Sequence, residues 1–162
     1  MKEEDTKSLE DYLKNDDVNF DAYKNKFDIQ GELEPFHVYA SEVIARKKEN
    51  ASLNEKMVYN KKQIFKRADI KENYGYKLLN GSGNLGNKRD IVIRIAFAAD
   101  FTVDEVNRAL KCAGFRPLYV KDLRDAFLYK VFATRINSRD VYELDELLEA
   151  NRFEKLERVG MD

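Results

Sequence analysis

The chain has 162 residues with 29 Lys/Arg, 30 Asp/Glu and one histidine, a net charge of −1, and 43% hydrophobic residues. That is enough chain to bury a core, too apolar for a disordered polyelectrolyte, and free of any apolar run of the roughly 18 residues a membrane span needs. One cysteine excludes an internal disulfide, and residues 1–8 are too polar for a secretion signal, so a cytoplasmic protein without membrane contact is expected.

Apolar residues recur mostly at three- and four-residue spacing and no stretch alternates convincingly, which predicts an all-α fold. Residues 1–34 read as an acidic N-terminal arm. In it Leu9, Tyr12 and Leu13, then Phe20, Tyr23 and Phe27, have the spacing of two short helices. A helix over 35–49 follows, with Pro35 in its first turn and Phe36, Tyr39, Ala40, Val43 and Ile44 on one face. Residues 50–60 are polar and read as an extended loop.

Two short helices are expected over 61–67 and 72–79. Across the turn and the second helix, Ile70, Tyr74 and Leu78 recur every four residues and point inward, leaving Lys71, Glu72, Asn73, Tyr76 and Lys77 facing out. Gly75 permits a close approach to a neighbouring helix, and Asn80-Gly81 permits the left-handed backbone of a helix stop. The glycine run GSGNLG at 81–86 lacks the lysine and hydroxyl ending of a phosphate loop and reads as a flexible turn. A largely buried helix over 89–99 carries Ile91, Val92, Ile95, Ala96 and Ala99. Thr102-Val103-Asp104-Glu105 is a capping box that opens a helix with Val103, Val106, Leu110 and Ala113 inward, stopped by Gly114. Helices over 122–133 and 139–150 complete the chain, the last with Ser138 as its cap.

Little catalytic chemistry is on offer. His37 lacks a nucleophile signature or a carboxylate and cysteine cluster at ligand spacing, so neither an enzyme nor a zinc site is expected, and no cofactor. Cys112, among apolar neighbours, reads as a half-buried core thiol. Asp140, Glu143, Asp145, Glu146 and Glu149 read as a solvated helix face.

Charge is strongly segregated. Residues 1–41 hold 5 Lys/Arg against 11 Asp/Glu, whereas residues 42–94 hold 13 against 6. A basic middle between acidic flanks suits either a polyanion-binding face or a lysine-rich solvated surface. The order over 68–100 is a helix end, a tight turn, a short helix closed by glycine, a loop and a third helix. That is the local grammar of a helix-turn-helix, whose second helix enters the DNA major groove.

Resemblance points the same way. The segments FHVY at 36–39, SEVI at 41–44, RADI at 67–70, YGYKLLNG at 74–81 and RDIVIRIAFAA at 89–99 carry it, continuing through TVDEVNRALK at 102–111, PLY at 117–119 and RDA at 124–126. With them the chain over 36–149 resembles small bacterial helix-turn-helix proteins of the lambda-repressor-like (Xre-type) class, described as transcriptional regulators. The resemblance implies a lambda-repressor-like helix-turn-helix domain over 35–114, with a C-terminal helical extension over 115–162 packed on the same core. It implies sequence-specific binding of double-stranded DNA, with 72–80 as the recognition helix. Lys61, Lys62, Lys66 and Arg67 on the preceding helix, with Lys88 and Arg89 on the next, would grip phosphates. Lys71, Asn73, Tyr76, Lys77 and Asn80 complete the DNA-facing set, and a homodimer through the C-terminal helices would read two half-sites.

Three departures from that class bear on function: the insertion around 50–59, the glycine-rich 81–86 where basic residues are usual, and Glu72 in a recognition helix without arginine. They leave open a protein-interaction module that keeps the scaffold without DNA binding.

Overall fold

A computed structural model describes residues 33–134 and 136–158, and the described residues are helical with no strand. The chain divides into two units, Met1–Leu33 and Glu34–Asp162. The arm helices expected around Leu9 and Phe20 lie outside the described residues. The described residues form seven α-helices in order: α1 Phe36–Asn50, α2 Lys61–Ala68, α3 Glu72–Asn80, α4 Arg89–Ala98, α5 Val103–Cys112, α6 Leu123–Thr134 and α7 Val141–Ala150. A 3-10 turn, Lys56–Tyr59, precedes α2.

Helix α4 is apolar on nearly every side, and a helix of that pattern belongs in the interior. Every residue from Ile91 to Ala98 is buried, Arg94 included. Helices α2, α5 and α7 pack against it, while α1 covers α3, α5 and the 3-10 turn. One cluster of buried side chains runs from Phe36 to Leu156.

The local stop and start signals act as local chemistry dictates. Thr102 Oγ1 accepts from the Glu105 amide (3.2 Å) and Glu105 Oε1 accepts from the Thr102 amide (2.9 Å), closing the capping box of α5. Gly81 (φ 90°) ends α3 in the left-handed region, and Gly114 (φ 82°) follows the end of α5.

Four expectations change. The 50–60 segment is docked rather than extended: Tyr59 is buried, and Lys56 Nζ donates to the Lys48 and Glu49 carbonyls at the end of α1. The glycine run is tied down rather than flexible. The Gly83 amide donates to Lys77 O (2.8 Å), Tyr74 OH donates to Asn84 O, and Gly83 lies so close to α3 that a Cβ there would meet the Leu78 nitrogen at 2.8 Å. Asp140, not Ser138, caps α7 through the Tyr142 amide, and Ser138 Oγ accepts from the Asp140 amide instead. Asp145 leaves the solvated acidic face and is buried, accepting from the Leu156 amide at 2.9 Å.

Buried charges organise the C-terminal half. Two Arg-Asp dipeptides exchange partners across the core edge. Arg89 makes a two-pronged pair with Asp125 (both 2.9 Å), and Arg124 makes one with Asp90 (3.2 and 3.0 Å). After α7, residues 154–158 run as a strap. Arg124 donates to the Glu154 and Lys155 carbonyls, Arg94 to the Leu156 and Glu157 carbonyls, and Asp90 accepts from the Glu157 amide. Leu156, in the middle of the strap, is buried.

Candidate functional site

The α2–α3 pair is built by a three-residue turn. Asp69 takes the left-handed conformation (φ 54°, ψ 49°), which aspartate tolerates better than most residues. Its amide donates to Lys66 O and the Ile70 amide to Phe65 O (2.9 Å), closing the last turn of α2. Ile70 then enters the core and Lys71 occupies the cap position of α3.

Phe65 and Gly75 fix how closely the two helices approach. A Cβ on Gly75 would lie 2.5–2.7 Å from three carbons of the Phe65 ring, which is fully buried and has nowhere to move. Tyr76 stands edge-on to the same ring (centroids 5.0 Å apart, planes at 82°) and keeps 43% of its surface exposed. Gly75→Ala should therefore cost about 1–3 kcal/mol by overpacking, despite alanine's better helix propensity. Urea unfolding of Gly75→Ala and of Gly75→Ala/Phe65→Leu checks this, because the smaller side chain should restore much of the loss. A stabilised single variant would refute the close-approach account.

Lys61, Lys62 and Lys66 of α2 are exposed, as are Lys71, Asn73, Tyr76, Lys77 and Asn80 at and along α3. Glu72 is exposed among them. Lys61, Lys62 and Tyr76 line one open groove of about 630 Å³, whose apolar floor includes Ile44, Ala45 and Tyr59. Lys48 lies on the same groove. Sequence reasoning missed it because it belongs to α1, which only the fold brings beside α2.

Three of the residues expected to face DNA have other work, and a fourth is withdrawn from full exposure. The Arg67 guanidinium turns inward and donates to Ala98 O (3.2 and 2.9 Å) and to Val58 O, so it joins α2 to α4 and to the docked insertion. Burial pushes its pKa down, with the neighbouring Arg139 charge adding to the effect. Arg89 is held by Asp125 and by the Arg116 and Pro117 carbonyls. Asn80 stays exposed, but its Oδ1 accepts from the Ser82 amide and hydroxyl, capping the loop. Lys88 is half-buried at the start of α4. The arginines are withdrawn for one reason: each guanidinium satisfies carbonyls or a carboxylate that burial would otherwise leave unpaired.

The titratable groups elsewhere serve the fold. Burial, reinforced by the Glu105 charge, pushes the Tyr39 hydroxyl up to about 12. Burial works against ionised Glu105 too, but the Thr102 amide and Lys47 outweigh it and hold the carboxyl below its ordinary range. The half-buried Cys112 thiol is raised by burial, which disfavours the reactive thiolate. His37 packs against Gly81, where a Cβ would meet its Nε2 at 2.8 Å. Among the described residues no three His, Cys, Asp or Glu side chains cluster closely enough to hold a metal ion.

No family model, curated protein or solved structure matches this chain.

Proposed function

We propose that the chain is a DNA-binding regulator of the lambda-repressor-like helix-turn-helix class, with α2 and α3 as the helix-turn-helix and α3 as the recognition helix. The observation that supports it is the set of exposed side chains on α2 and α3, in which Lys61, Lys62, Lys66, Lys71 and Lys77 accompany Asn73 and Tyr76, with Lys61, Lys62 and Tyr76 on one groove. Lysines there are point charges suited to phosphates, and the carboxamide and phenol can reach base edges in a major groove. Arg67, Arg89 and the Asn80 carboxamide oxygen drop out of the contact set because the fold uses them. The protein acts by occupancy, without chemistry on the DNA, and a homodimer would extend the short half-site that one module reads.

Binding of genomic duplex fragments by fluorescence polarisation tests the reading. The wild type should bind with a steep salt dependence, and Lys71→Glu/Lys77→Glu should flatten the log–log salt slope by about 2 while weakening binding at least tenfold. Equal binding by the two proteins would refute the assignment of α3. A wild type that binds no duplex would favour the protein-interaction module on the same scaffold, for which Glu72 in the first turn of α3 is the supporting observation.

A further inference from the structure

The strap at 154–158 reaches the α2–α3 turn at two points. Arg158 Nη1 lies 2.7 Å from Asp69 Oδ2, so the strap's end is tied to the one left-handed residue of the turn. Arg94 makes the second link from within the core. Its guanidinium donates to Ala68 O at the end of α2 (3.0 Å) and, from its other nitrogens, to Leu156 O and Glu157 O on the strap. One buried group thus holds the end of α2 and the strap together. The strap itself has little freedom, since Asp145 and Asp90 accept from the Leu156 and Glu157 amides and Leu156 is buried. Arg158 also lies over the Tyr142 ring (5.2 Å), which aims its guanidinium from α7 toward the turn.

We propose that the C-terminal strap is a brace for the α2–α3 turn, and that Arg158 is a positioning residue that sets the pose of α3 without touching its ligand. The recognition half of this proposal rests on the DNA-binding reading above; the ordering of the turn does not. An aspartate at φ 54° is a conformation that the surrounding structure must hold. Arg158 supplies part of that hold from the far end of the chain, 89 residues away in sequence. Losing the tie frees the Asp69 and Ile70 amides to open from Lys66 O and Phe65 O, and α3 then samples more than one angle.

The experiment compares the full-length wild type, Arg158→Lys, Arg158→Glu and Arg152→Glu. Arg152 is exposed in the turn after α7, so its reversal makes the same change in net charge away from the Asp69 tie. Native-state amide exchange reads the turn, and duplex polarisation reads recognition. Arg158→Glu should exchange roughly two- to fivefold faster at Asp69 and Ile70 than wild type, the size expected of a half-exposed ion pair, while amides of α5 stay unchanged. Arg158→Lys should keep the wild-type rate, and Arg152→Glu should leave the turn unaltered. Duplex affinity should fall further in Arg158→Glu than in Arg152→Glu. Unchanged exchange in Arg158→Glu overturns the brace. Faster exchange with duplex affinity equal to that of Arg152→Glu overturns the positioning role. A wild type that binds no duplex overturns the DNA reading, and the exchange comparison then decides the brace by itself.

Discussion

Replacing Arg94 with methionine is expected to destabilise the protein by about 3–5 kcal/mol, the range for removing one partner of a buried charge pair. Arg94 is fully buried, and burial pushes its pKa below the ordinary value, partly offset by Asp145. Its cost is met by geometry: three carbonyls accept from it at 2.9–3.0 Å, and Asp145 Oδ2 lies 3.9 Å away. Methionine fills similar volume but donates nothing, so the Ala68, Leu156 and Glu157 carbonyls lose a partner and Asp145 becomes an uncompensated buried carboxylate. Against a typical total stability of about 5–15 kcal/mol, that loss leaves a marginal fold. Urea unfolding monitored by helical circular dichroism measures it. Arg94→Met/Asp145→Leu should recover part of the loss, because the orphaned charge goes too. A single-variant loss under about 1 kcal/mol would show that the carbonyls find other donors.

Asp125→Ala is the second large effect, expected at about 3 kcal/mol, near the low end of that range because Arg89 retains some solvent contact. Asp125 is 3% exposed and gathers the two-pronged bond from Arg89, the Tyr119 amide at 3.0 Å and the more distant Arg116. Burial opposes its ionisation, but Arg89, the Tyr119 amide and the Arg116 charge outweigh burial and hold the carboxyl below its ordinary value. The sign of the pH effect follows. A group whose folded pKa is depressed adds stability that is complete above the unfolded value of about 3.9 and is lost as pH falls through the folded pKa. Glu105, depressed as well, adds in the same direction. The urea midpoint should hold between pH 5 and 7 and drop below about pH 4. Asp125→Asn should lower the midpoint at pH 7 and shrink the acid drop. An acid drop of wild-type size in Asp125→Asn would assign the effect to other carboxylates.

The exposed side of α3 was legible in the sequence because four-residue spacing states which residues face out. Ile70 and Leu78 are buried, and Lys71, Asn73, Tyr76 and Lys77 are exposed, as that spacing requires. The phosphate-gripping arginines were not legible. Arg67 and Lys66 look equivalent in a string of letters, yet Arg67 bonds Ala98, 31 residues on, and Lys66 stays exposed. Arg94 did carry a readable sign: a lone charge inside the run IVIRIAF implies a buried partner. What no local pattern supplied was that partner's identity, a strap about 62 residues later.

The sequence by itself determined the helical class, the bounds of α1 to α5 to within a residue or so, the capping box of α5 and the glycine stops after α3 and α5. Those features depend on interactions within one or two turns, which are written in neighbouring residues. Tertiary structure alone decided the exchange of partners between the two Arg-Asp dipeptides, the burial of Asp145, the docking of 50–60 and the tie from Arg158 to Asp69. Ion pairs and carbonyl anchors have no fixed sequence spacing, so they are settled only when packing chooses which charges lose their water.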